Sequence, residues 1–199
     1  MSILLPMARS REFDPTAALE QAMVLFWEQG FGETSMEDVV ASTGVSRYGL
    51  YGTFGNKREL YIAALQRYAE QIAREEHPRL FSPAATRADI DAFMAGAVER
   101  CIGPDGNRGC MICNTAIEVA PHDAAIAAAV RELFDRLAAA FATAVRNSQA
   151  AGDVDESLDA RAVGDVLVGV MQGALVLARA GTGRTRLTEY MNSALKMLD

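Results

Sequence analysis

The chain has 199 residues, half of them hydrophobic, with a formal net charge of −7 and an isoelectric point near 4.9. This length suggests one large domain or two smaller ones, with enough apolar residues for a sizeable core. The acidic balance argues against nucleic acid as a partner, although a binding face needs only a few placed cations. Three cysteines are too few, and odd in number, for a disulfide framework. The apolar opening MSILLPM is too short for a signal peptide or a membrane span. We therefore expect a cytoplasmic protein.

The first two predicted elements are helices with clear start and stop signals. Apolar residues recur at helical spacing over 14–29, where Asp14 caps the start and Gly30 ends the helix. Thr34 and Ser35 both offer caps for a second helix, with Glu37 or Asp38 three residues later to close a capping box. Gly44 stands where the following corner needs a positive φ. The sequence therefore predicts two helices joined by short turns.

The next two predicted helices differ in length. The third is barely two turns long and points Val45, Leu50 and Phe54 inward. A helix that short is not stable alone in water, so neighbouring helices must hold it. Asn56 caps a fourth, longer helix, which ends before Pro78.

The second half of the chain is also helical in pattern. Pro and Gly interrupt the periodic stretches, and no long alternating β pattern appears. We predict an all-α protein of about nine helices, with an N-terminal three-helix helix-turn-helix domain over 12–72 and a C-terminal ligand-binding and dimerisation domain over 80–199. The helices predicted for the second half cover 87–101, 110–119, 123–149, 158–180 and 187–198.

The predicted helix over 158–180 is apolar on nearly every side. Such a helix needs covering on every side. We expect a homodimer packed through the last two helices, with four helices meeting across a two-fold axis. The alternative is that this helix is simply central in a monomer.

The motif over 35–54 has the form of a helix-turn-helix, whose second helix enters the major groove of DNA. Arginine can fork onto guanine, and hydroxyl groups suit phosphate oxygens. Cations in the first turn of a helix, here Lys57 and Arg58, suit a docked phosphate. Arg9 and Arg11 lie before the first helix and offer further contacts, either to phosphate or in the minor groove. The alternative is that these are ordinary solvated side chains. The predicted DNA-contacting residues are Thr34, Ser35, Ser46, Arg47, Tyr48, Gly49, Tyr51, Thr53 and Lys57.

The stretch ALEQAMVLFWEQGFGETSMEDVVASTGVSRYGLYGTFGNKRELYIAAL resembles the N-terminal domain of the TetR family of transcriptional regulators. The resemblance implies an all-helical homodimer that binds double-stranded DNA at a palindromic operator and represses transcription. It also implies that a small-molecule effector enters the C-terminal domain and releases the DNA. Many members carry His, in contact with a phosphate, where Thr53 stands, so Thr53 would make a shorter contact. The stretches REFDPTAALEQAM and LYGTFGNKRELY resemble one branch of the family, and GCMICNTAIEVAPHD resembles the same branch more loosely.

An effector pocket is predicted among the inward faces of the second-half helices. Apolar side chains there either line a cavity or fill a core. Asn114 and Glu118 lie four residues apart on one helix, where they either orient a polar ligand or cap and pair within the structure. The candidate lining residues are Phe93, Met94, Ala97, Met111, Asn114, Glu118, Phe134, Phe141 and Met171.

The pair Cys110 and Cys113 forms a CxxC at a predicted helix start, where the helix N-terminus can lower a thiol pKa. The pair is therefore a candidate thiol sensor, with Cys101 as a further partner, and the alternative is that all three are small buried hydrophobes. Zinc would need four ligands, and no catalytic motif is recognisable, so we expect no metal, no cofactor and no enzyme. The alternative to a repressor is a thiol-based redox protein or a helical small-molecule carrier.

Overall fold

The computed structural model describes residues 13–103 and 106–199, and within them every regular element is helical. This confirms the predicted all-α class and the number of helices. Arg9, Arg11 and the predicted domain start at position 12 lie outside the described residues. The helices are α1 (Pro15–Gln29), α2 (Met36–Thr43), α3 (Arg47–Phe54), α4 (Lys57–Glu70), α5 (Arg87–Ile102), α6 (Met111–Glu118), α7 (Ala124–Ala151), α8 (Ala160–Arg179) and α9 (Arg184–Leu195).

The predicted caps begin the first helices. The Asp14 carboxylate accepts a hydrogen bond from a backbone N–H of α1, and Ser35 closes a capping box with Asp38 at the start of α2. Gly44 ends α2 with a φ of 66°, in the left-handed region that glycine adopts without strain. Asn56 closes a second capping box at the start of α4. Local sequence thus fixes where these helices begin and end.

The fourth helix changes its winding before it ends. The α-helical part stops at Glu70, and a π-helical segment over Gln71–Glu76 follows it. There, the backbone N–H of His77 donates to the carbonyl of Ile72, five residues back, at 2.9 Å. The sequence predicted one continuous helix, because apolar spacing over six residues does not distinguish an α from a π winding. Wide turns of this kind are frequent at functional sites.

The hydrophobic interior divides into two clusters that do not follow the order of the chain. The first joins the helices of the N-terminal region to α6 and the start of α7, through fully buried side chains such as Phe26, Leu65, Met111 and Ile126. The second lies among α5, the end of α7, α8 and α9. Helix α6 therefore packs with the helix-turn-helix region, although it lies in the C-terminal half.

Helix α8 is buried on one side only. Leu167 and Met171 lie in the second cluster, whereas Val166, Val176 and Leu177 are 46%, 50% and 40% exposed. Leu167 and Met171, one turn apart, both pack inward. Among the described residues, α8 is the one helix that is long and apolar enough to cross a membrane, and 33% of its most apolar stretch is buried inside the protein.

Candidate DNA-binding surface and effector cavity

Helix α3 is short, capped at both ends and held by one fully buried side chain. The Ser46 hydroxyl accepts a hydrogen bond from the Gly49 backbone N–H at 3.1 Å, and Gly55 ends the helix. Leu50 is 1% exposed and packs in the first cluster. Because eight residues cannot sustain a helix alone, this anchor and these caps hold α3 in place.

The opposite side of α3 presents a polar, solvent-facing surface. Tyr48 is 89% exposed, and Arg47, Tyr51 and Ser46 are exposed beside it. The Arg47 guanidinium lies 5.9 Å from the centre of the Tyr51 ring. It also forms an ion pair with Glu37 of α2 at 3.0 Å, and both side chains are solvent-exposed. An exposed pair of this kind is worth about 0–1 kcal/mol, so Arg47 can leave Glu37 for another acceptor at little cost.

The helices before and after α3 in the sequence, α2 and α4, each begin with a residue that was predicted to contact DNA. Ser35 begins α2 and is exposed, and Lys57 is the first residue of α4. The Lys57 ammonium lies 4.4 Å from the centre of the Phe31 ring, which holds the side chain while leaving it part-exposed. Free N–H groups and a positive dipole end at these starts favour an anion such as phosphate.

Three of the predicted DNA-contacting residues have other surroundings. Thr34 is fully buried and its hydroxyl donates to the Gly30 carbonyl at 2.7 Å, which places it inside the turn before α2 and off the exposed face. A Cβ at Gly49 would lie 3.1 Å from Phe13 and from Val45, so this glycine permits packing within the protein. Thr53 is half-buried.

Gly52 was missed by sequence reasoning. It lies on the exposed side of α3, and a Cβ added to it would meet no heavy atom within 4 Å, so its backbone is open to an approaching partner. Its signal in the sequence is its spacing, since it stands four positions after exposed Tyr48 on the same helix face. Gly52 therefore joins Ser46, Arg47, Tyr48 and Tyr51 on this exposed side, which we call the α3 surface.

The helix-turn-helix region is tied to the C-terminal half by side-chain contacts. A carboxylate oxygen of Glu118 accepts from the Gly32 backbone N–H, so this residue lies between the two regions rather than in a cavity. The carboxylate of Asp123 has its pKa lowered by the Ile126 backbone N–H and by Arg58. The connecting hydrogen bonds are Trp27 to Gly109 at 3.1 Å, Gly32 to Glu118 at 2.9 Å, Arg58 to Asp123 at 2.6 Å and Tyr61 with Thr115 at 2.7 Å.

A cavity of about 340 Å³ lies between these two regions. Its walls come from α1, the end of α4 with its π-helical segment, α5, the start of α6, α7 and α8. The lining is largely apolar and aromatic, as in sites that bind small organic molecules. Representative lining residues are Trp27, Tyr68, Phe93, Phe134, Leu175 and Met171.

The polar groups of the cavity are few. Burial raises the pKa of the Tyr68 phenol well above its ordinary value, so the hydroxyl keeps its proton. Arg100 lies over the Phe93 ring at 5.7 Å and 3.5 Å from the Glu76 carboxylate. The side-chain oxygen of Gln172 is buried and has no hydrogen-bond partner. Sequence reasoning missed Gln172, although it is the single polar side chain within the apolar run VLVGVMQGALVLA.

The predicted pocket residues divide into two groups. Phe93, Phe134 and Met171 line the cavity together. The other six lie elsewhere, because their helices turn them into the core or toward another element. The ring centre of Phe141 lies 5.5 Å from that of Phe93 in the core, and Ala97 and Met111 are buried in the two clusters. Met94 borders a second depression between α5 and α9. Asn114 forms hydrogen bonds with Arg179 and the Arg108 carbonyl, and Glu118 accepts one from Gly32.

All three cysteines are free thiols, and Cys101 and Cys110 line the cavity. Burial raises the pKa of each, including Cys110 and Cys113 of the CxxC pair. A helix start can lower the pKa of a thiol, but at Cys110 and Cys113 burial in apolar surroundings outweighs that effect. Among residues 13–103 and 106–199, no group of His, Cys, Asp and Glu has the arrangement of a metal site.

Comparisons with known proteins agree along almost the whole chain. The family model "Bacterial regulatory proteins, tetR family" matches residues 18–64, and "Tetracyclin repressor-like, C-terminal domain" matches 84–194. The uncharacterized HTH-type transcriptional regulator YezE of Bacillus subtilis (strain 168) is 28% identical over 194 residues, 97% of this chain and 100% of the relative. The HTH-type transcriptional repressor ComR of Escherichia coli (strain K12) is 28% identical over 190 residues, 95% of this chain and 90% of the relative.

A solved structure also resembles this protein over nearly all of its length. It is a cysteine mutant of the TetR family transcriptional regulator CifR, complexed with a 26-base-pair double-strand operator DNA. The TM-score is 0.83 at 25% sequence identity, and the match covers 96% of this chain and 100% of the other.

Proposed function

The chain belongs to the TetR family of DNA-binding transcriptional regulators, and we propose that it is a cytoplasmic repressor that binds a palindromic operator as a homodimer and is released by a small-molecule effector. The observation that carries this proposal is the exposed polar face of α3, held rigid by caps and by Leu50. A short helix with outward Arg and Tyr side chains suits the major groove.

Arg47 is the residue proposed to read a base. Its guanidinium can donate two hydrogen bonds to the O6 and N7 atoms of one guanine. In the free protein it is paired with Glu37, and that exposed pair opens at small cost. Tyr48, Tyr51 and Ser46 lie around it on the exposed surface, where their hydroxyls suit phosphate oxygens. Lys57 adds a cation beside a helix start.

The homodimer is proposed to form through α8 and α9. The side of α8 that faces away from the core exposes Val166, Val176 and Leu177, and α9 adds Tyr190 at 38% exposure. A two-fold axis would bury these faces against their own copies and would place two α3 helices on one side. For adjacent major grooves the two α3 helices must lie about 34–36 Å apart.

Release is proposed to act through the end of α4. The π-helical segment contributes Gln71, Ile72 and Glu76 to the cavity wall, and the same helix begins beside the α3 surface with Lys57. A ligand in the cavity therefore touches the helix that supports the DNA-binding surface. It will release the operator if it binds the released arrangement better than the operator-bound one.

Selection from a random DNA pool tests the proposal. The purified protein should enrich a palindromic sequence, and Arg47→Ala should weaken binding to it by about 1–3 kcal/mol while relaxing the preference at one base per half-site. Arg131→Ala is a matched control, because it removes the same charge from an exposed position on α7. No enrichment, or equal losses in the two variants, would reject the proposal in favour of a carrier or a redox protein.

A further inference from the structure

The buried oxygen of Gln172 lacks a partner in the wall of the cavity. Among the described residues, its Oε1 atom is the one buried side-chain nitrogen or oxygen without a hydrogen bond. Leaving a buried carbonyl oxygen unpaired is unfavourable, and folded proteins keep few such atoms. Gln172 also lines the cavity. A ligand bound there is therefore adjacent to the side chain that carries this unpaired acceptor.

The neighbours of Gln172 leave its buried oxygen unpaired. Burial raises the pKa of the Cys110 thiol, and hydrogen bonds with Tyr68 and Gln172 act in the opposite direction. Burial also raises the pKa of the Tyr68 phenol, which therefore keeps its proton, but the phenol does not hydrogen-bond to the Gln172 oxygen. These three side chains come from the end of α4, the start of α6 and the middle of α8.

The charges that line the cavity leave little preference for an ion. Arg100 is already 3.5 Å from the Glu76 carboxylate, and its guanidinium also lies against the His77 ring nitrogen at 2.5 Å. Arg136 is at an exposed edge of the cavity, where water screens it. A charged ligand would lose its hydration without gaining a free opposite charge in the interior.

We propose that the cavity binds a neutral, largely apolar molecule that donates one hydrogen bond, from a hydroxyl or an N–H, to Gln172 Oε1. The cavity volume of about 340 Å³ lies at the lower end of the range for small-molecule pockets, about 300–1,000 Å³, which suits a molecule with one substituted ring. This inference rests on the proposed function, since it names the chemical class of the effector.

Trp27 provides the measurement, because it is the single tryptophan of the chain and lines the cavity. Its fluorescence should report titration with four matched probes, para-tert-butylphenol, para-tert-butylanisole, para-tert-butylbenzoate and para-tert-butylbenzylammonium. The phenol should bind about tenfold more tightly than its methyl ether, because only the phenol can donate to Gln172. Equal affinity for phenol and ether, or tighter binding of either ion, would overturn the inference.

Variants of the cavity wall locate the contact. Gln172→Met keeps the length of the side chain and removes the acceptor, so it should cost the phenol about fivefold to tenfold in affinity and the ether little. Leu175→Met is the matched control on the same wall and should change both affinities alike. A phenol preference that survives Gln172→Met would reject Gln172 as the acceptor. The comparison of probes on the unaltered protein stands even if a variant does not fold.

The binding and operator measurements are separate. Fluorescence titration is done without DNA, and operator affinity is measured on the unliganded dimer. A protein that binds the operator but shows no preference for the phenol refutes the effector class and leaves the repressor intact. A protein that prefers the phenol but enriches no palindrome refutes the repressor and leaves the ligand class intact.

Discussion

The α3 surface and the cavity are built in opposite ways. The α3 surface comes from one short stretch of the chain, helix α3 and its cap Ser46, with Leu50 as its fully buried anchor. The cavity takes its interior polar groups from distant positions, Tyr68, Cys110 and Gln172. A surface formed by one short helix depends on local periodicity, whereas a cavity depends on how separate helices pack. The two regions should therefore respond differently to substitution.

Loss of the α3 anchor should have the largest effect. Leu50→Ala leaves a void in the first cluster and should lower the free energy of unfolding by about 2–5 kcal/mol, measured by urea denaturation. Leu167→Ala, in the second cluster, is the control and should destabilise to a similar degree. In conditions where both variants stay folded, only Leu50→Ala should weaken operator binding. Equal operator affinities would show that α3 does not depend on its anchor.

A smaller effect should follow from breaking the buried link between the regions. Thr115→Val removes the hydroxyl that pairs with Tyr61 at 2.7 Å and leaves the Tyr61 phenol unsatisfied. The free energy of unfolding should fall by about 1–3 kcal/mol. Adding Tyr61→Phe should recover part of this loss, because the orphaned hydroxyl is then absent. If the double variant lost more unfolding free energy than the sum of the losses in the two single variants, this account would be contradicted.

Lys57 should affect the salt dependence of DNA binding. Lys57→Ala should reduce the slope of log affinity against log salt by about 0.9 for each phosphate that the side chain neutralises, in fluorescence anisotropy titrations. Lys57→Arg keeps the charge and should keep the slope. An unchanged slope in Lys57→Ala would assign this residue to packing against Phe31 alone.

Release of Arg47 from its partner should have a small effect in the opposite direction. Glu37→Gln removes the ion pair and one negative charge near the α3 surface, so operator binding should tighten by up to about 1 kcal/mol at low salt. Glu156→Gln removes the same charge from an exposed loop after α7 and should change nothing. Weaker binding in Glu37→Gln would mean that Glu37 orients Arg47 toward DNA.

Thiol modification should have the smallest effect. Burial raises the pKa of all three thiols, so at neutral pH each holds less thiolate than a free cysteine, and reactivity should increase only as pH rises toward the raised values. Iodoacetamide at neutral pH should therefore leave operator binding unchanged, with labelling followed by mass spectrometry. Rapid labelling of Cys110 or Cys113 with loss of DNA binding would establish a thiol sensor.

The sequence by itself determined the helices, their caps and the exposed face of α3. Asp14, Ser35, Gly44 and Asn56 mark helix boundaries through groups within one turn of them, so no distant contact is needed to place them. The alternation of inward Leu50 with outward Tyr48 likewise follows from helical spacing alone.

Only the tertiary structure decided where α6 packs and which residues enclose the cavity. Glu118 lies four residues after Asn114 on one helix, a spacing that suggested a shared ligand contact. It contacts Gly32 instead, because α6 packs against the helix-turn-helix region. Phe93 and Phe141 are equally apolar in sequence, yet Phe93 lines the cavity and Phe141 lies in the core. Gln172 becomes a candidate ligand contact because α8 turns its side chain toward the cavity that other helices enclose. Such outcomes depend on packing between residues far apart in the chain, which local periodicity does not encode.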